Sequence, residues 1–248
     1  MKKAITFLFV CIALSANSQQ KKTIEFSAHI NSIDPLPPLG NFITSSTKLL
    51  GYSDFTNKSI APGLTIKYFI KENCAVYLKG IYTNRDYKEY QDIVESTHQI
   101  NENRTIQKIF RIAPGAQWSF MHKKVAFLGG FDLPLTFYGE TVQNANTFNE
   151  GLDGSNKTNN HNEFKIPGGS SFGIGIFGGI NYYFTKKFAV GFTLGSAYEY
   201  KKVGGIIKWA SVTTGAITGE FSDSWKDTIK DLGFAPLQGS INITWSIK

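Results

Sequence analysis

Residues 171–185 read SFGIGIFGGINYYFT, and this stretch decides the fold. Large apolar side chains occupy alternate positions: Phe172, Ile174, Ile176, Ile180, Tyr182 and Phe184. Small or polar residues stand between them: Gly173, Gly175, Gly179 and Asn181. A period of two predicts an extended strand with one bulky apolar face and one nearly bare face. Because glycine weakens a strand interior, the bare face needs a physical reason.

Two architectures can use such a strand. In a soluble barrel or sandwich, the apolar face points inward and the other face carries charged residues toward water. In a membrane barrel, the apolar face meets lipid and the small residues line a narrow interior. The start of the chain, the connections between strands and the positions of the charges distinguish the two.

The chain begins with the features of a secretory signal peptide. Its first twenty residues, MKKAITFLFVCIALSANSQQ, combine a basic start with an apolar stretch that is too short to span a bilayer as a helix. Small residues two positions apart predict cleavage between Ser18 and Gln19. We therefore expect a signal peptide over 1–18 and a single β domain over 19–248.

The same alternation recurs in seven further segments. Predicted strands lie near 23–33, 59–70, 74–87, 105–120, 125–138, 171–184, 188–201 and 234–247. The connections are short at 71–73, 121–124 and 185–187, and long and polar at 34–58, 88–104, 139–170 and 202–233. Short turns on one rim and long loops on the other are typical of outer-membrane barrels, whose turns face the periplasm.

These features predict an all-β fold, an eight-stranded antiparallel up-and-down transmembrane β-barrel in the outer membrane. Such a barrel is only wide enough for side chains to fill it, so small residues keep the interior from overfilling. A soluble barrel would instead expose Lys and Glu at positions such as Gly173, Gly175 and Gly191. Long loops without secondary structure also count against a compact soluble domain.

The chain resembles the small outer-membrane β-barrel family, the OmpA-, OmpX- and OmpW-like barrels of Gram-negative bacteria. The resemblance is one of pattern over the whole mature chain, and no family-specific active site matches. It implies insertion by the barrel-assembly machinery and contact with outer-membrane lipids and lipopolysaccharide. Family members usually end in an aromatic residue, whereas this chain ends NITWSIK, with Trp245 near its end.

The net charge of +7 comes largely from the turn side of the predicted barrel. Eight lysines stand there against Glu72 alone: Lys21, Lys22, Lys71, Lys123, Lys124, Lys186, Lys187 and Lys248. This ring can meet anionic phospholipid headgroups, although ordinary solubilising turn lysines explain it equally well. A basic excess gathered at one rim argues against nucleic acid as a partner.

The sequence contains no pattern of catalytic or metal-binding residues. His, Cys and acidic residues lack metal-ligand spacing, and Cys74 is the one cysteine of the mature chain. A lipid-modifying barrel enzyme would need a Ser or His pair near the outer rim, but His98 and His161 fall in predicted loops. We expect neither enzymatic activity nor a cofactor.

Several polar side chains fall on the predicted inner face: Glu25, His29, Lys67, Lys79, Arg111, Gln117, Asp132, Asn181 and Tyr183. They are bulky enough to predict a plugged or very narrow lumen. Charges far from both rims need partners, which predicts a lumen polar cluster of Lys79, Arg111, Asp132, His29 and Lys67. A four-residue turn at 121–124 places residue 113 opposite about 132, so Asp132 is expected to pair with Arg111, with Lys79 as a competing partner.

Three classes of function fit this architecture. The first is a structural or surface-interaction role in which the long loops meet an unknown extracellular or envelope partner. Trp209 and Trp225 are candidate loop contacts because tryptophan is enriched at binding sites, although both can equally pack on the loop base or lie at the membrane interface. The second is a narrow conduit for small apolar or ionic solutes. A lipid-modifying enzyme or a secretion-apparatus component is less favoured.

We expect the mature protein to begin at Gln19 and to fractionate with the outer membrane. N-terminal sequencing of the protein from isolated outer membranes measures both properties. Recovery of the chain in the soluble periplasmic fraction would contradict the membrane-barrel interpretation.

Overall fold

The computed structural model describes residues 23–33, 59–94, 97–151, 154, 156–215, 218–235 and 237–247. The predicted signal peptide over 1–18 and the predicted loop over 34–58 lie outside these residues.

Eleven antiparallel strands make up nearly all of the described chain. They are β1 (Ile24–Ile33), β2 (Ser59–Lys71), β3 (Cys74–Val94), β4 (Thr97–His122), β5 (Val125–Asp132), β6 (Leu135–Gly151), β7 (Thr158–Ile166), β8 (Gly169–Tyr183), β9 (Phe188–Gly215), β10 (Gly219–Phe234) and β11 (Gln238–Ile247). None of the described residues forms a helix that could cross a membrane.

The strands belong to one sheet that closes on itself. Pairing runs in the order β1, β2, β3, β4, β5, β8, β9 and β11, and β11 then pairs with β1. The closure is continuous, since Ile24 lies opposite Ile247 on one side and opposite Tyr68 on the other. A ring of this kind leaves no unpaired sheet edge at its level.

Three strands continue others across short interruptions, which is why eleven strands are found where the sequence predicted eight. β6 continues β5 after Leu133 and Pro134, β8 continues β7 after residues 167–168, and β11 continues β10 after 235–237. Proline cannot donate to a strand ladder, so Pro134 interrupts the predicted strand 125–138. Pairing resumes at once, because Leu135 lies opposite Ile112 on the same neighbour β4.

The segments predicted as long loops, 88–104, 139–170 and 202–233, are mostly paired strands. The hairpin of β3 and β4 is paired as far as Val94 and His98, hairpin β6–β7 as far as Asn149 and Thr158, and hairpin β9–β10 as far as Thr213 and Gly219. β4 also pairs with β6, and β7 with β9, so the three hairpins form one wall beyond the ring. Polar residues occupy both faces of these strands, so the apolar alternation that marks a strand is absent from them.

The predicted alternation of outward apolar and inward small residues is confirmed along β8. Ile176 points outward and is 70% exposed, whereas Asn181 points inward and is 1% exposed. Gly175 lies on the same inward face. The structure is therefore inside out relative to a soluble protein, with apolar groups outside and polar groups inside.

The outward apolar groups form a band that is bounded by aromatic side chains at both ends. Four strands carry aromatic residues ten positions apart: Phe110 and Phe120, Phe127 and Phe137, Phe172 and Tyr182, and Phe188 and Tyr198. All eight are exposed. Ten residues in strands tilted by about 40° span about 25 Å, the height of the apolar band of an outer-membrane barrel.

Inward glycines lie opposite large inward side chains of the neighbouring strand. The register pairs Gly63 with His29, Gly115 with Tyr77, Gly130 with Phe177, Gly175 with Asp132, Gly173 with Glu199 and Gly191 with Asn181. A Cβ atom at Gly115 would lie 2.5 Å from the Tyr77 ring, and one at Gly130 would lie 2.6 Å from the Phe177 ring. The bare face of β8 and its neighbours is therefore the space that these side chains occupy.

The neighbouring residues Gly129 and Gly130 test this packing directly. Gly130→Ala should destabilise the barrel by about 1–3 kcal/mol because the new methyl group overpacks the interior. Gly129 points outward, and a Cβ there has no contact closer than 4.0 Å, so Gly129→Ala should be neutral or slightly stabilising. Urea unfolding in lipid vesicles measures both, and equal effects would contradict the packing.

Candidate functional site: the polar interior

The structure places all nine predicted inward residues on the inner face of the ring. Those that are buried are Glu25, His29, Lys67, Gln117 and Asn181. Lys79, Arg111 and Asp132 line an internal cavity together with Lys67 and Gln117. The ninth, Tyr183, donates a hydrogen bond to Glu25 Oε1 at 3.2 Å.

Arg111 forms its ion pair with Glu199, which the sequence analysis did not include in the cluster. Arg111 Nη2 lies 2.8 Å from Glu199 Oε1, and both side chains are largely buried. Ser171 Oγ donates to the second oxygen, Glu199 Oε2, at 2.8 Å. The pair joins β4 to β9 across the interior, and the Glu199 side chain lies over Gly173. Strands that are distant in sequence meet here, so hairpin geometry alone could not identify the contact.

The expected pair between Asp132 and Arg111 is not an ion pair in the structure. The turn at Lys123 and Lys124 is two residues long, because His122 lies opposite Val125. Asp132 consequently lies opposite Gly115, and Arg111 is four residues further along, about 13 Å in an extended strand. The prediction was wrong because it assumed a four-residue turn.

Asp132 instead occupies the space beside Gly175 and accepts a hydrogen bond from a tyrosine. Tyr77 Oη lies 3.4 Å from Asp132 Oδ2. The Tyr77 ring packs edge-on against Phe177, with ring centroids 5.9 Å apart. Tyr77 and Phe177 reach into the interior from β3 and β8, and Gly115 and Gly130 leave room for them.

His29 is held by neutral partners on β1 and β2. Asn31 Nδ2 donates to His29 Nδ1 at 2.6 Å, and His29 Nε2 lies 2.9 Å from Thr65 Oγ1. A histidine with both nitrogens bound in this way acts as a structural cross-strand link. Within the predicted cluster, His29 therefore connects β1 to β2.

Two spaces lie along the axis of the ring. The inner cavity has a volume of about 100 Å³ and is lined by Lys67, Lys79, Arg111 and Asp132 among other polar groups. A vestibule of about 890 Å³ opens at the turn end, where Glu25 accepts a hydrogen bond from Ser246 Oγ at 2.8 Å.

The two predicted loop tryptophans have different surroundings. Trp209 on β9 is stacked on Phe164, with centroids 5.8 Å apart, and also contacts Phe221 at 5.0 Å. Trp225 on β10 lies opposite Ile207 and is 37% exposed. Trp209 therefore packs within the hairpin wall, and Trp225 remains the more accessible of the two.

The histidines that were predicted to lie in loops are on paired strands and have polar partners. His98 Nε2 lies 2.9 Å from Asp92 Oδ1, and His161 Nδ1 lies 2.5 Å from Asn146 Oδ1. Within the described part of the chain, no three His, Cys or carboxylate side chains come together as metal ligands.

Comparison with known proteins finds likeness in fold alone. No family model matches the sequence, and no curated protein does. Among solved structures, Neisserial surface protein A is 14% identical, with a TM-score of 0.40 and coverage of 90% of this chain and 95% of that one. The Yersinia pestis attachment invasion locus protein Ail is 11% identical, with a TM-score of 0.40 and coverage of 91% of this chain and 97% of that one. OprG of Pseudomonas aeruginosa is 10% identical, with a TM-score of 0.40 and coverage of 91% of this chain and 95% of that one. Likeness this distant says nothing about ligands or partners.

The protein has the architecture of a transmembrane β-barrel. An apolar outer band between two sets of aromatic side chains, around a polar interior, is the arrangement of such barrels.

The ion pair across the interior should show strong coupling. Arg111→Met or Glu199→Gln alone leaves an unpaired buried partner and should cost about 3–5 kcal/mol. The double variant should cost less than the sum of the two, with a coupling energy of about 0.5–3 kcal/mol in vesicle unfolding. The cycle of Arg111→Met with Asp132→Asn is the control, and its coupling should be smaller. Additive losses at 111 and 199 would contradict the pairing.

Proposed function

We propose that the chain is an eight-stranded up-and-down barrel with a blocked or very narrow lumen, acting at the cell surface through its hairpins. The observation that carries the proposal is the wall formed by hairpins β3–β4, β6–β7 and β9–β10. On β4, thirteen residues extend from the aromatic girdle to Thr97, which corresponds to about 30 Å beyond the apolar band. An anchor alone does not need so large an ordered structure outside the bilayer.

Ion pairs on the surface of the wall support a defined shape. Arg104 donates two hydrogen bonds to Asp86, at 2.7 and 2.6 Å. These hydrogen bonds hold the pKa of the Asp86 carboxyl below its usual value. In the β6–β7 hairpin, Lys157 Nζ lies 2.8 Å from Glu150 Oε1. Exposed pairs contribute little stability individually, but they favour one register of neighbouring strands.

Aromatic groups on the wall are the proposed contact points. Tyr90, Phe221 and Trp225 are all exposed, and Phe221 packs against Trp209 beneath it. Exposed aromatic side chains supported by a rigid base suit recognition of sugars or protein surfaces. The proposed partners are lipopolysaccharide or an envelope or extracellular protein, with no nucleic acid among them.

The opposite rim supports assembly and membrane contact. Its turn lysines suit the anionic headgroups of the inner leaflet, and β11 is the strand offered to the barrel-assembly machinery. Neither role needs catalysis, and the proposal includes no enzymatic activity or cofactor.

A second candidate function is a narrow conduit for small solutes. The inner cavity and the vestibule favour it, because together they occupy part of the axis of the ring. Tyr77 and Phe177 stand against it, since their rings meet within the interior.

Photocrosslinking on intact cells tests the surface role. A benzoylphenylalanine at position 90 or 225 should form adducts with lipopolysaccharide or one envelope protein, because both side chains are exposed on the hairpins. The same group at position 123, in a turn, is the matched control and should not form these adducts. Identical adducts at 225 and 123, or none at either hairpin position, would contradict the proposal.

Conductance separates the two candidate functions. The refolded barrel in a planar bilayer should show no porin-sized steps, because paired bulky groups and glycines fill its interior. Tyr77→Ala together with Phe177→Ala should increase conductance if these rings block the axis. Large steps in the unmodified protein would exclude a blocked lumen and favour the conduit.

A further inference from the structure

The inner cavity is lined by an unusual excess of positive charge. Three cationic side chains, Lys67, Lys79 and Arg111, face it, and Asp132 is the one carboxylate among its described lining residues. Neutral amide side chains also line the cavity, among them Gln117, Gln238 and Asn242. The cavity lies inside the ring, so these charges face one another across a narrow interior.

The two lysine ammonium groups lack partners among the described residues. Neither Lys67 nor Lys79 forms a hydrogen bond or an ion pair within 4 Å, although Lys67 is only 7% exposed. The two ammonium groups are also close enough to repel each other, and Arg111 repels Lys79 as well. Each ammonium carries three donors, and buried charges are normally paired or coordinated.

The nearby carboxylates are already engaged elsewhere. Glu199 accepts hydrogen bonds from Arg111 and Ser171, both at 2.8 Å. Glu25 interacts with Lys67 only at longer range and accepts hydrogen bonds from Tyr183 and Ser246. Asp132 alone remains for the two lysines, and it lies beyond ion-pair distance of both. The cavity lining therefore carries a net positive charge.

We propose that this cavity binds a compact monovalent anion of the chloride type, held by the ammonium groups of Lys67 and Lys79. The volume of about 100 Å³ accommodates such an ion together with several waters. The amide groups of Gln117 and Asn242 provide neutral donors at the same site. This site is independent of the proposed surface role, because it lies inside the ring whatever the hairpins bind.

Bromide, which scatters anomalously, is the probe for the crystallographic test. Crystals of the refolded mature protein grown in sodium bromide should show an anomalous peak within hydrogen-bond distance of the Lys67 and Lys79 Nζ atoms. Crystals of Lys79→Met should lose the peak, whereas those of Lys123→Met, an exposed turn variant, should keep it. An empty or water-filled cavity in bromide crystals of the unmodified protein would overturn the proposal.

A solution measurement keeps the test independent of how the lysine variant folds. The Tm of the unmodified protein should rise as gluconate is replaced by chloride at constant ionic strength, because an anion bound to the folded state stabilises it by mass action. Lys123→Met should show the same rise. An identical Tm in chloride and gluconate for the unmodified protein would overturn the proposal.

Discussion

The interior of the ring has room for one layer of side chains, and the rest of the structure depends on that constraint. At several positions where one strand directs a large side chain inward, its neighbour has glycine at the paired position, as in Tyr77 with Gly115 and Phe177 with Gly130. Because the inward side chains must fit together in this way, the large apolar side chains of each strand point outward. The lipid-facing band follows from the same alternation.

The same constraint determines which charges meet. A long side chain in a one-layer interior can reach beyond the neighbouring strand. Glu199 on β9 lies over Gly173 and pairs with Arg111 on β4. Lysines that find no such partner share the remaining cavity. In the proposed function, side chains block the axis, and the hairpin wall is the part of the molecule available to a large partner.

Local alternation was sufficient to predict the strands of the ring and their inward residues, because β8 and β9 alternate with a period of two. The membrane-barrel class also required the start of the chain, the connections and the positions of the charges. The hairpin wall was mistaken for loops because strands that are polar on both faces carry no apolar period. The Asp132 pairing failed on a turn length, since two residues more or less shift the register of every following pair. The pair of Arg111 with Glu199 depends on closure of the ring, which no hairpin rule describes.

Spin-label accessibility along 171–183 measures the central claim, that this strand presents its bulky face to lipid and its small face to a filled interior. Single cysteines introduced at each position in a Cys74→Ser background carry the label in lipid vesicles. Oxygen, which concentrates in lipid, should collide strongly with labels at 172, 174, 176, 180 and 182, with a maximum near Ile176, and weakly with those between them. Loss of the alternation, or strong collisions at 174 and 176 with a water-soluble nickel complex, would contradict the account.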